Sequence, residues 1–218
     1  MTIQAKICGL NDASAVNAAV DNGARFIGFV FYQPSPRNVT PAQAAELAVL
    51  APETVEKVGL FVNPDDALIQ SALDAISLDW IQLHGSETVA RVAAIKQKFG
   101  VPILKAIKIA EKSDFETAKS FQNVADMLLF DAKAPKTMEN ALPGGNGLVF
   151  DWRMMRGLDI SLPWMLAGGL NADNVADAVT ISGAARVDTS SGVEFEPGRK
   201  DPSAIAAFLK AVTEIDAE

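Results

Sequence analysis

The sequence predicts an α/β protein, a single-domain (β/α)8 TIM barrel spanning residues 1–218. Three observations predict it. Eight short β-branched and apolar runs alternate along the chain with segments of helical periodicity. Helix-capping signals fall a few residues past several of these runs, giving the strand, short loop and capped helix that build parallel sheets. Eight such units favour a closed ring over an open doubly wound sheet. No G-x-G-x-x-G follows the first run, where a dinucleotide-binding sheet would carry it.

In order, the predicted strands are 5–8, 26–31, 57–62, 80–83, 102–107, 127–130, 164–167 and 186–188. After the second, Thr40-Pro41-Ala42-Gln43 matches the capping box, in which a hydroxyl and an amide reciprocally satisfy free N–H groups. After the third, Asn63-Pro64 sets a capping side chain before a proline at the first helical position. Val92, Ile95 and Phe99 give the fourth helix an apolar stripe. After the fifth strand, Ser113-Asp114-Phe115-Glu116 is a second capping box. Segment 133–147 is the least regular part of the chain and reads as a loop over the active site. Asp201-Pro202 opens the last helix, whose Ile205, Phe208, Leu209 and Val212 recur at i, i+3, i+4 and i+7.

Composition narrows the function classes. With 49% apolar residues the chain can fill a continuous core, and its apolar runs are too short to span a membrane. A net charge of −8 argues against a nucleic-acid partner, which needs clustered Lys and Arg. It leaves room for a small anionic substrate, because backbone N–H groups can hold a phosphate whatever the overall charge. The first residues, MTIQAKICGL, lack the features of a signal peptide, and the single cysteine forms no internal disulfide; both suit the cytoplasm. His84 is the only histidine, so a histidine-rich metal site is excluded, and no carboxylate spacing suggests a magnesium site. No metal is therefore expected. The sequence carries no signal for an oligomeric state.

In barrels of this kind, reactive groups sit at the C-terminal strand ends and in the loops that follow. Those places hold Cys8, a loop ending in Arg37, His84, Asp131, Gly144-Gly145-Asn146-Gly147, Gly168-Gly169 and Asp188-Thr189-Ser190-Ser191-Gly192. Gly168-Gly169 with Ser190-Ser191-Gly192 form a candidate phosphate cradle after strands seven and eight, where barrels commonly bind phosphate. Cys8 can act as a base only as thiolate, which from a free pKa near ~8.5 needs nearby positive charge. Asp131 can act as an acid only if its pKa is lifted. Each has an ordinary alternative: a small buried hydrophobe for Cys8, a cap or salt-bridge partner for Asp131. Arg37 suits a carboxylate, held in a loop stiffened by Pro34 and Pro36, but equally suits a solvated surface. His84 is a hydrogen-bonding or space-filling residue near the barrel top.

A longer ordered set is more specific. Lys6-Ile7-Cys8-Gly9, Phe31-x3-Ser35-Pro36-Arg37, Val58 to Asn63, Gln82-Leu83-His84-Gly85, Asp131, Gly144 to Gly147 with Phe150-Asp151-Trp152, Leu166 to Leu170, Asp188-x-Ser190-Ser191-Gly192-Val193-Glu194 and Gly198-x-Lys200-Asp201 together resemble the phosphoribosylanthranilate isomerase family. The resemblance implies a cofactor-free Amadori rearrangement of a small phosphorylated substrate in tryptophan biosynthesis. It implies that Asp131 is the general acid and Cys8 the general base. It puts Arg37 near the anthranilate carboxylate, and His84 and Asp188 on the substrate. It gives Gly145, Gly168, Gly169, Ser190, Ser191 and Gly192 to the phosphate. Two positions depart from the family habit: Asn146 stands where threonine is common, and Thr189 where an aliphatic residue is common.

Rival readings fare less well. A ribulose-phosphate epimerase resembling its family would need paired histidines, and indole-glycerol phosphate synthase a lysine-centred site behind a longer N-terminal stretch. An aminoaldose isomerase of the histidine pathway would use two aspartates, whereas strand one here ends in Cys8. A non-catalytic phosphosugar-binding barrel would be expected to have lost Cys8 or Asp131.

Overall fold

The computed structural model describes residues 2–135 and 142–215. Its strands are β1 (Gln4–Cys8), β2 (Phe26–Phe31), β3 (Glu56–Phe61), β4 (Trp80–Leu83), β5 (Ile103–Ile109), β6 (Met127–Ala132), β7 (Trp164–Leu166) and β8 (Arg186–Thr189). They close into one parallel barrel in sequence order. The seam pairs β1 with β8, from Gln4 opposite Arg186 to Ile7 opposite Thr189.

Strand periodicity sorts the side chains onto the two faces of the barrel wall. Phe26, Val58, Leu104, Ala106, Met127, Leu129, Met165 and Ala167 fill the barrel interior. Cys8, Val30 and Leu60 form a small cluster of their own at the later positions of their strands. Ile7, Ile27, Phe29, Ile81, Leu83, Leu128 and Phe130 belong to the outer core beneath the helices. Burial on both faces explains why the strands read as continuous apolar runs rather than alternating ones.

The helices are α1 (Ala13–Asp21), α2 (Pro41–Ala48), α3 (Asp66–Ala75), α4 (Val89–Phe99), α5 (Asp114–Ser120), α6 (Val175–Ser182) and α7 (Pro202–Ile215). The Thr40 capping box forms in full. Asp201 accepts from the Ser203 N–H at 2.8 Å ahead of α7, whose predicted stripe is buried. On α4, Val92 and Ile95 are buried and Phe99 packs against the core from a half-buried position.

Three local expectations are corrected. Asn63 does not cap α3; Asp65 does, accepting from Leu68 N–H. Asn63 instead takes a left-handed conformation, φ 46°, and its side chain accepts from Ser86 N–H in the loop after β4. Ser113 makes no cap bond because its backbone is already helical. Asp114, the first helical residue, instead accepts from Ala110 and Glu111 N–H in the turn before the helix. The sixth unit has no α-helix among the described residues, where a 3-10 turn (Trp152–Met155) lies between β6 and β7. Of the predicted 133–147 loop, residues 136–141 lie outside the described residues.

A second 3-10 turn (Ser191–Val193) and a hairpin of β9 (Glu194–Glu196) and β10 (Arg199–Lys200) separate β8 from α7. The sequence reading contains no such hairpin, and it delivers two charged residues to the site.

Candidate active site

The C-terminal strand ends open into a cleft of about 750 Å³, mouth included. Cys8, Arg37, His84, Asp131, Gly145, Gly168, Gly169, Asp188, Ser190, Ser191 and Gly192 all line it, so every site residue singled out in the sequence meets at one place. Val30, Leu60 and Leu170 supply apolar wall, with Tyr32 beside Arg37 among the lining residues of the loop after β2.

Cys8 ends β1 with its sulfur against Gly28 of β2, where an added Cβ would sit 3.1 Å from Sγ. Two residues earlier on the same inward face is Lys6, fully buried, with Nζ 2.8 Å from Asp188 Oδ1. Burial is the largest effect on both partners, working against the Lys6 charge and pushing the Asp188 carboxyl up, while the attraction of each for the other opposes it and holds the Lys6 ammonium above its ordinary pKa. Burial pushes the Cys8 thiol up; the Lys6 and, more weakly, Lys200 ammonium groups pull the other way. These lysines are the positive charge that the sequence reading required and did not locate.

Asp131 ends the inward face of β6. Its Oδ1 accepts from Ala132 N–H at 2.9 Å, and its Oδ2 is 3.2 Å from His84 Nε2. On the far side of that ring, Gln82 Nε2 lies 2.9 Å from Nδ1. Gly144 covers the pair closely: a Cβ there would stand 2.7 Å from His84 Nε2 and 3.1 Å from Asp131 Oδ2.

Arg37 is 4% exposed, which removes the solvated-surface alternative. Its Nε and Nη2 donate to the two carboxylate oxygens of Glu194 at 2.8 and 2.7 Å, and Nη2 also reaches the Gly145 carbonyl at 3.3 Å. This bidentate fork fixes the guanidinium plane. Glu194 also accepts from Lys200 Nζ at 2.8 Å, and burial, which favours its neutral form, is outweighed by Arg37 and Lys200, so its pKa lies below the ordinary value. Lys200 in turn donates to the Ser190 carbonyl and hydroxyl, and the Ser190 hydroxyl donates to the Cys8 carbonyl at 3.0 Å. One buried chain of polar contacts thus runs from the Arg37 end of the cleft to the loop after β8. Gly145 sits against Arg37; Gly147, two residues on, is the one near Ser191.

The loops after β7 and β8 are laced together. Thr189 Oγ1 donates to the Leu170 carbonyl at 2.6 Å, a bond that an aliphatic residue could not make. Gly192 fits beneath that carbonyl only because it has no Cβ, which would lie 1.9 Å from the oxygen. Gly168 and Gly169 both take positive φ, 93° and 60°, where side chains are disfavoured. The 3-10 turn begins at Ser191, so its first N–H groups are the ones a helix start leaves for an anion. Asn146 accepts from Leu142 N–H through Oδ1 at 3.0 Å and donates to the Leu142 carbonyl through Nδ2 at 2.8 Å.

Sequence reasoning missed Lys6, Gln82, Glu194 and Lys200 as parts of the site. For Lys6 and Gln82 the available signal was a charge or amide inside an apolar strand run, which is rarely buried without a partner; Glu194 and Lys200 stand in a charged stretch that gives no such signal. Among the described residues no group of three or more His, Cys, Asp or Glu is arranged to hold a metal ion, and no helix is long and apolar enough to cross a membrane.

Known proteins share this arrangement of chain. An N-(5'-phosphoribosyl)anthranilate isomerase of Paracoccus denitrificans is 53% identical over 213 residues, covering 98% of each chain. The crystal structure of phosphoribosyl anthranilate isomerase from Thermotoga maritima superposes with a TM-score of 0.87 at 32% identity, covering 98% of this chain and all of that one. A crystal structure of phosphoribosyl anthranilate isomerase in complex with reduced 1-(o-carboxyphenylamino)-1-deoxyribulose 5-phosphate has a TM-score of 0.84 at 30% identity, with the same coverage. The sequence pattern described as N-(5'phosphoribosyl)anthranilate (PRA) isomerase matches residues 5–211, and the chain belongs to that family.

Proposed function

We propose that the cleft converts N-(5-phosphoribosyl)anthranilate to 1-(2-carboxyphenylamino)-1-deoxyribulose 5-phosphate, with Asp131 as general acid and Cys8 as general base. The observation that carries this is their placement: a carboxyl on β6 and a thiol on β1 line one cleft between a fixed guanidinium and a glycine-serine loop pair. The phosphate lies on the loops after β7 and β8, against Gly168, Gly169, Ser190, Ser191 and Gly192. The anthranilate carboxylate lies toward Arg37, whose plane Glu194 has already set. Asp188, oriented by Lys6, accepts from substrate hydroxyls.

Asp131 protonates the furanose ring oxygen as the C1′–O bond breaks, and the ring opens to an iminium. The positive nitrogen acidifies the neighbouring C2′–H. With the Lys6 and Lys200 ammonium groups it offsets the burial that disfavours a thiolate, and the thiol's own proton passes to solvent at the cleft mouth before the sulfur acts as base. Cys8 takes the C2′ proton, leaving an enolamine that tautomerises to the ketone. Positioned acid–base groups contribute about 10²–10⁴-fold each.

Loss of anthranilate-type fluorescence with freshly generated substrate tests the reading. The wild type is expected to turn over rapidly, and Cys8→Ala and Asp131→Asn, each checked for folding, to lose at least about 100-fold in kcat. A folded wild type that binds product analogue without turnover would leave a phosphosugar-binding barrel and remove the isomerase reading. Loss in only one variant would remove the other residue from the acid–base pair.

A further inference from the structure

Gln82 is fully buried on β4, and His84 stands two residues on, just past the strand's end. Its Oε1 finds no hydrogen-bond partner among the described residues. A buried acceptor left unpaired is costly, and a leucine or methionine filling the same volume would avoid that cost. The other end of the amide accounts for its presence. Its nitrogen stands 2.9 Å from His84 Nδ1, and an amide nitrogen can only donate. With the amide in this orientation, Nδ1 presents its lone pair. A neutral imidazole carries one N–H, which then sits on Nε2, 3.2 Å from Asp131 Oδ2.

We propose that Gln82 is a positioning residue, locking His84 in the Nε2–H tautomer so that it donates to Asp131 as that carboxyl gives up its proton. The proposal rests on Asp131 being the acid. While Asp131 is protonated, His84 donates to a neutral carboxyl; once the proton has gone to the ring oxygen, it donates to an anion, and the bond strengthens. An interaction that grows along the reaction coordinate lowers the barrier rather than merely tightening binding. The opposite tautomer would do the reverse. A bare Nε2 would accept the Asp131 proton in a hydrogen bond and hold it back from the substrate. Gln82 touches no reacting atom; it acts through His84.

Because His84 is the only histidine, the full chain labelled with 15N-histidine gives one pair of ring-nitrogen signals. The wild-type neutral ring is expected to show Nε2 protonated and Nδ1 bare. Gln82→Met should let the Nδ1–H form appear and lower kcat by about 10- to 100-fold, the worth of one charge-assisted bond, with KM within about twofold. Gln82→Glu, whose carboxylate accepts from Nδ1–H, should protonate Nδ1. A wild-type ring protonated at Nδ1 overturns the proposal without any variant having to fold. So does a folded Gln82→Met that keeps the wild-type tautomer or the wild-type kcat. Asp131→Asn separates this from the underlying reading: full turnover in that variant removes the acid, and with it the purpose of the lock, whereas the nitrogen spectrum reports the tautomer independently of turnover.

Discussion

Glu194 is the residue whose removal the structure makes most consequential. It accepts three charge-assisted bonds, two from Arg37 and one from Lys200, all between 2.7 and 2.8 Å. Its side chain is 3% exposed, Arg37's 5% and Lys200's 0%, so solvent screens none of them appreciably. Glu194→Ala leaves two buried cations facing each other without an anion. Breaking a buried pair in this way costs about 3–5 kcal/mol. For a chain of this length that is a fall of roughly 6–20 °C in Tm. Glu194→Gln keeps the shape but presents one acceptor oxygen, and should cost about 1.5–3 kcal/mol. The assay is urea unfolding of both variants in the wild-type and Arg37→Met backgrounds. With Arg37 gone, Glu194→Ala should cost at least about 1 kcal/mol less, since the two residues are in contact. The sign with pH follows from Glu194's lowered pKa: its contribution is complete above the unfolded carboxylate value and is lost as pH falls through the lower folded one. The gap between wild type and Glu194→Gln should therefore hold through neutral and mildly acidic pH and close only below the ordinary carboxylate range. A cost under about 1 kcal/mol, or equal costs in both backgrounds, would refute the reasoning.

Three other outcomes are expected. Burial raises the Cys8 pKa, so labelling by a small neutral thiol reagent should be slow at neutral pH and climb with alkalinity beyond the range where free cysteine levels off; a rate already flat at pH 7 contradicts this. Gly192→Ala drives a methyl into the Leu170 carbonyl and must part the loops after β7 and β8, so inhibition by inorganic phosphate should weaken at least about tenfold while Cys8 labelling is kept; unchanged inhibition would move the phosphate elsewhere. Glu87 and Lys105 form a further buried pair at 2.7 Å, outside the cleft, with Lys105 also on the Leu83 and Gly85 carbonyls. Glu87→Ala should destabilise by about 3–5 kcal/mol and Glu87→Gln with Lys105→Met by much less, whereas equal losses would deny the pair its role.

Local sequence was informative where a single element decides the outcome. The strands were legible because the barrel buries both of their faces, and the α7 stripe because one face of a helix meets one core. Cys8 and Asp131 could be singled out because strand ends are where a barrel puts its chemistry. Where two local solutions compete, distant contacts choose between them. Asn63 and Asp65 are both competent caps, and Ser86, 23 residues on, draws Asn63 away. Arg37 could be read as solvated because its partner, Glu194, is 157 residues later on a hairpin of only three and two residues a side, too short to show a period. Gln82 and His84 are near neighbours whose spacing was in plain view, but neither residue type reveals which nitrogen carries the proton.

The seam between β1 and β8 couples ring closure to charge neutralisation. Lys6 lies on the first strand of the ring, and its counter-ion, Asp188, on the last, 182 residues later. Until β8 docks, β1 offers the interior an ammonium with nothing to neutralise it, and a seven-stranded arc that tried to shut would have to bury that charge alone. The ion pair that ties the last strand to the first also orients Asp188, so the closed ring and the assembled site draw on the same contact.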